Sequence, residues 1–230
     1  MRIALIVSMF LILSLCASNK LISRIDIDLA LESAPSVEYR RASVLPVKVG
    51  SESRWLVINI IYTANKESMT EPSLVKKRGD YELRFNGFVD DLGVRVTVLQ
   101  NTGLQASGKY FYGMYTGETA FYSIRRDGKR HLVQMFVPGK LLDRYSRAAN
   151  GQITAAAEKD FMVEVVFTVA GKTVAKEYYG GNAKAFAGAL QMVPGNMVFK
   201  GGVFPRSRTP WALFGFDDFD VEKELPAGKM

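Results

Sequence analysis

The chain of 230 residues has one cysteine, one histidine and two tryptophans, and these scarcities exclude a good deal. Cysteine nucleophiles, disulfide scaffolds and thiolate metal sites all need more than Cys16 alone can provide. A single histidine, His131, leaves no zinc or copper ligand set. It also leaves one candidate base for triad chemistry, and no Gly-x-Ser-x-Gly elbow accompanies it. His131 stands among arginines and lysines and reads as a surface residue of a basic hairpin. No Gly-x-Gly-x-x-Gly or Lys-bearing phosphate loop is formed. Gly180-Gly181 reads as turn glycines. Beyond the N-terminus no apolar stretch is both long and free of charge, so no transmembrane span is expected in the mature chain. The densest acidic run, Asp217–Glu222, lacks the glycine and distant glutamate of a helix-loop-helix calcium loop.

The N-terminus does carry a signal. Arg2 is followed by an apolar run from Ile3 to Leu15 and then by Cys16-Ala17-Ser18, the pattern of an export peptide. Cleavage after Ala17 or Ser18 would discard the cysteine. Lipidation at Cys16 is the alternative, although Leu15 occupies the place where a lipidation site favours a small residue. Residues 1–18 are therefore assigned to the signal, and residues 19–230 to one exported domain, periplasmic or on the outer cell surface. About 210 residues can build a core without disulfide staples. The formal net charge is +7, and removing residues 1–18 takes away one arginine to leave +6. That excess favours anionic partners, acidic glycans among them. Nucleic acid is not an expected target of an exported chain.

The middle of the chain reads as β-structure. Arg24–Leu31 alternates with period two, and Arg54–Thr63 (RWLVINIIYT) is a nearly continuous β-branched run, as in a strand covered on both faces. Pro46 marks Val44–Val49 as a strand in an edge or bulge position. Further strands are expected at Tyr81–Val89, Gly93–Leu99, Tyr110–Tyr115, Thr119–Arg126 and Arg130–Val137. Thr63–Tyr81 reads as a long exposed loop. Asp127-Gly128 gives the strongest hairpin signal, and Phe161–Ala170 turns at Gly171-Lys172 into Thr173–Tyr179 as a second hairpin. Short helices are expected at Lys140–Ala149 and Asn182–Leu190. An aromatic-rich C-terminal extension begins near residue 196 and adds an edge strand near Trp211–Phe216, with fraying after Lys223. The fold class is mainly β: an antiparallel, immunoglobulin-like β-sandwich with one or two short helices.

Two groups of residues are candidate contacts. Arg125, Arg126, Lys129 and Arg130 crowd one expected hairpin tip and suit an anionic partner. Lys76-Lys77-Arg78 and Arg206 with Arg208 form lesser basic patches. Tyr110 and Tyr112 fall on one strand face, where outward rings could stack on a sugar or a protein. Core packing explains the same residues if that face is inward. No cofactor and no catalytic residue is assigned.

Three features together resemble a known type of protein: the signal segment, the hairpin-rich region from Arg24 to Tyr179 with its VPGKLLDRYSR helix, and the TPWALFGFDDFD close. It is the small exported protein with an immunoglobulin-like fold encoded beside type IV pilus assembly genes in a mucin-dwelling Gram-negative bacterium. The resemblance covers most of the chain. It implies an envelope protein that contacts pilus-assembly or other envelope proteins and is not an enzyme. A pilin subunit would continue a long hydrophobic N-terminal helix past a processing glycine, which this sequence does not do. A carbohydrate-binding module for host or cell-wall glycans is the alternative. A glycan hydrolase would require a pair of carboxylates converging across a cleft.

Overall fold

The computed structural model describes residues 21–35, 37–39, 47–49, 54–66, 73–77, 80–84, 87–145, 157–213 and 222–223. The expected export segment, Cys16 and the acidic stretch 217–221 lie outside them. Fourteen strands are described, mostly antiparallel and distributed over four sheets.

The first main sheet has the order β1 (Ile22–Ser33), β4 (Arg54–Ala64), β9 (Arg130–Val137) and β13 (Phe204–Pro205). The second runs β11 (Lys172–Tyr179), β10 (Phe161–Val169), β7 (Phe88–Ala106), β8 (Lys109–Arg125) and β12 (Val198–Lys200). A short β14 (Glu222–Lys223) also pairs with β8. Two small hairpins, β2 (Val37–Tyr39) with β3 (Val47–Val49) and β5 (Ser73–Lys77) with β6 (Asp80–Arg84), stand apart. Most pairings are antiparallel, while β12 runs parallel to β8.

Period-two patterning decides which faces meet. Leu56, Ile58, Ile60 and Tyr62 of β4 point into one core with Val94, Val96 and Val98 of β7 and Val163, Val165 and Phe167 of β10. Burying these faces against one another is what makes the two sheets a β-sandwich. A second, smaller cluster lies on the outer face of the second sheet. There α2 (Ala183–Leu190) lays Phe186 and Ala189 over Leu99, packed by Tyr112, Met114, Met162 and Tyr178. The helix starts where expected, because the Asn182 side chain accepts the Ala185 N–H at 3.0 Å and so caps its first turn.

The short helix α1 (Gly139–Asp143) is held by polar groups. Its end carbonyls are met by buried side chains of the second sheet: Gln100 Nε2 donates to Leu142 O at 3.1 Å. The Tyr115 hydroxyl donates to Gln100 Oε1 at 2.7 Å, with Leu141 O at 3.1 Å as a second acceptor. Burial, reinforced by the neighbouring Tyr145 phenol and only partly opposed by Arg144, raises the Tyr115 hydroxyl pKa far above the ordinary tyrosine range. The hydroxyl is therefore a permanent donor.

Several sequence expectations are corrected. Asp127-Gly128 does not close a hairpin, since β8 and β9 belong to different sheets. Gly128, with φ +75°, turns the chain across the sandwich, and its N–H donates to Ala64 O. The stretch Thr63–Tyr81 contains β5 and the start of β6 rather than only loop. Tyr81–Val89 divides between β6 and β7. The gaps expected at 90–92 and 116–118 do not occur, because β7 and β8 run through them as strands of 19 and 17 residues. The helix expected over Lys140–Ala149 spans Gly139–Asp143, and residues 146–149 lie outside the described set. Trp211 lies in a 3₁₀ turn, Pro210–Leu213, rather than an edge strand, and residues 214–216 are outside the described set.

Candidate functional site

The longest strands build the most prominent surface feature. β10 accompanies β7 only as far as Gln100, its partner being Phe161, yet β7 continues to Ala106. Beyond that point β7 and β8 form a two-stranded arm of about five residues per strand, roughly 15 Å long. Its tip is a two-residue turn, Ser107-Gly108, with φ +51° and +73°. Both angles suit a primed hairpin turn whose twist matches the strands.

The base of the arm is pinned. Between the pairs Asn101↔Tyr112 and Gln105↔Tyr110 the register shifts, so Thr102–Leu104 bulges. Thr102, itself buried, donates through Oγ1 to Phe111 O at 2.9 Å and accepts the Leu104 N–H at 3.2 Å. Asn101 Oδ1 accepts the Gly103 N–H at 2.9 Å. These bonds turn Leu104 outward. Leu104 and Tyr110 are each 43% exposed, with Lys109 as the nearby cation. An exposed leucine and tyrosine on a preformed hairpin make a small amphipathic contact surface with little conformational entropy left to lose.

The two candidate tyrosines separate. Tyr110 is exposed on the arm, whereas Tyr112 is half-buried against the α2 cluster, and its N–H donates to Met192 O at 3.2 Å. Tyr110 thus offers a free ring face, and Tyr112 ties the arm to the body.

The four candidate cations lie at the opposite end of β8, about 50 Å from Tyr110 over fifteen residues of strand. Arg125, Lys129 and Arg130 are exposed. Arg126 is only 8% exposed: its Nε donates to Asn65 O at 3.1 Å and its backbone N–H to Gly87 O at 2.7 Å. It joins segments of both sheets and is a structural residue, so the expected four-cation tip presents three. Arg130 lies 3.7 Å from Asp26, both widely exposed. The same end exposes Phe88 and Tyr122, at 45% and 55%. Sequence reading missed them because each sits inside an otherwise core-like run.

His131 is no surface residue. Its side chain is 10% exposed, stacks on Tyr62 at 5.3 Å and places Nε2 3.5 Å from Asp127. Burial raises the Asp127 pKa, but the Lys129 N–H donated to Oδ1 and the nearby His131 and Lys129 outweigh it, so the net shift is downward. Arg206 is likewise buried, and donates through Nη2 to Trp211 O at 3.0 Å. Trp211 packs on Phe136 and Trp55 at 4.7 and 5.5 Å. Side chains of the Lys76-Lys77-Arg78 patch lie outside the described set. Among the described residues no group of three or more His, Cys, Asp or Glu could hold a metal, and no helix is long and apolar enough to cross a membrane.

Fold and arm define a mostly antiparallel β-sandwich bearing a projecting hairpin. In overall structure the chain is similar to a crystal structure from Akkermansia muciniphila, with a TM-score of 0.55 and 12% sequence identity over 89% of this chain and 96% of that chain. At that identity the likeness concerns the fold alone. No protein-family model matches the sequence. No curated protein matches it either.

Proposed function

We propose that this protein is a non-catalytic, exported component of the cell envelope that works through protein–protein contacts, in type IV pilus biogenesis or surface interaction, and that its sandwich is an immunoglobulin-like variant. The carrying observation is the arm: it leaves the sheet, is pinned at its base and exposes Leu104 and Tyr110. The pilus setting rests on the resemblance of the signal segment, the hairpin-rich middle and the TPWALFGFDDFD close. The protein is read as periplasmic or surface-exposed, with Cys16 removed or lipidated.

The test is photo-cross-linking in cells, with a reactive residue at position 104 or 110 and, as a control, at exposed Asp28 in the first sheet. Recovery of envelope or pilus-assembly proteins from the arm positions alone is expected. Equal capture from all three positions, or none from the arm, refutes the arm as the contact element. The exposed Tyr110 ring also supports the second reading, a carbohydrate-binding module. A glycan array on which Tyr110→Ala loses all binding would favour it over the first.

A further inference from the structure

We infer that a cleft on the outer face of the second sheet binds a small hydroxylated monocarboxylate, the chemical class of a sugar acid. The cleft, about 240 Å³, is formed where β7, β8 and β12 lie side by side. In register, Arg95 of β7 faces Glu118 of β8, and Lys200 of β12 sits beside Thr116. Period-two geometry sends all four side chains outward into one hollow. Most of the surface lining the hollow is apolar, and Met114 contributes to it.

The charges are held in readiness. Elsewhere on the same face, Lys176 is bonded to Glu164 at 2.9 Å. Among the described residues Arg95, Glu118 and Lys200 have no such ion pair, although they line the same hollow. Two cations and one carboxylate leave a net charge that one anionic group would cancel. Arg95 offers the planar fork that fits a carboxylate, and Lys200 offers a second positive donor. Glu118 and Thr116 accept hydrogen bonds from hydroxyl groups, and Glu118 repels a second anion. The volume lies below that of drug-sized pockets, which selects one small molecule or a terminal residue.

The cleft is also rigid. On the core side of β8 the chain that follows β12 is anchored, because the Val203 N–H donates to Thr116 O at 3.1 Å and a Cβ on Gly117 would stand 2.0 Å from Val203 O. Lys200 is thereby fixed relative to Thr116. This inference is independent of the arm: the cross-linking experiment and the titration below succeed or fail separately.

The experiment titrates the isotope-labelled mature protein with glucuronate, acetate and glucose, following the amide signals of Gly117 and Gly201. Because all three charged groups are exposed, binding in the millimolar range is expected, weakening as salt is raised. Glucuronate should shift these signals, and acetate and glucose should do so much less. Arg95→Gln and Lys200→Gln should each weaken glucuronate roughly fivefold. Glu118→Gln, which keeps the shape and loses the charge, should narrow the gap between glucuronate and acetate. Equal responses to acetate and glucuronate would overturn the proposal. So would shifts that survive in the Arg95→Gln, Lys200→Gln double variant, or no shift at all.

Discussion

Replacing Gly117 by alanine should be among the most damaging single-methyl additions possible in this protein. An ideal Cβ there would lie 2.0 Å from Val203 O, 2.7 Å from Val203 C and 2.8 Å from Val203 Cβ. Two of those atoms are backbone, so no side-chain rotation relieves the overlap. Either β8 and the β12–β13 connection are forced apart within a packed structure, at about 1–3 kcal/mol, or the connection peels away. Peeling exposes Val203, now 3% accessible, and breaks its N–H bond to Thr116 O at 3.1 Å. Re-exposing a valine costs about 1.5–3 kcal/mol, and the hydrogen bond about 1 kcal/mol more. The two routes together bracket a loss of roughly 1–4 kcal/mol. The assay is urea unfolding, with the slope compared to detect any change in the surface exposed. Gly188→Ala is the matched control. It adds the same methyl inside α2 with no atom within 4 Å, and should stabilise by about 0.5–1 kcal/mol. A Gly117→Ala protein within about 0.5 kcal/mol of the parent would refute the reasoning.

Gln100→Leu should cost about 1–3 kcal/mol, because it removes two buried hydrogen bonds at once, while Leu141 O still takes the Tyr115 hydroxyl and the Tyr145 N–H still reaches Leu142 O. Tyr115→Phe should cost less, and the double variant should be less destabilised than the sum of the two, as a double-mutant cycle will show. Asp127, held below its ordinary 3.8, stabilises the native state above the unfolded pKa and loses that contribution as pH falls through the folded pKa. Asp127→Asn should therefore be less stable than the parent near neutral pH and converge with it in strong acid. A stability difference that does not shrink below about pH 4 would sink that assignment.

The parts of the fold that were legible in the sequence were those governed by local period and local capping. RWLVINIIYT gave β4 with one extra residue, and Asn182 marked the start of α2 because its side chain caps that turn directly. What misled was glycine. Gly117 looks like a strand break, yet it sits mid-strand because the Val203 carbonyl presses on it; Gly113, read within a strand, is likewise crowded, by the Tyr145 ring at 2.9 Å from a Cβ there. The partner in each case lies far along the chain, so no local pattern reveals it. Asp127-Gly128 misled for a related reason. The turn is real, but whether it joins neighbouring strands or opposite sheets depends on where β9 finds its partner, and that is β4. Among the candidate contacts, exposure could not be read from residue type. Arg126 and Arg206 are cations enlisted to bind backbone carbonyls, while Leu104, apolar in composition, is turned outward by a bulge.

The distance between the two ends of β8 makes the docking face testable without knowing the partner. Around Leu104 and Tyr110 the contact would be mainly apolar, with Lys109 alone among the described residues adding charge. Around Arg125, Lys129 and Arg130 it would be mainly electrostatic. Exposed charges are screened beyond about 8 Å at physiological ionic strength, so charges roughly 50 Å away cannot assist binding at the arm. Association through the arm should consequently keep its rate and affinity nearly unchanged as salt is raised, and Leu104→Ala should raise the dissociation rate. Association through the basic end should slow steeply with salt and with reversal of Arg125 and Lys129. Surface-bound protein titrated with envelope extract at low and high salt separates the two. A steep salt dependence that Leu104→Ala leaves untouched would move the contact to the basic end and refute the assignment to the arm.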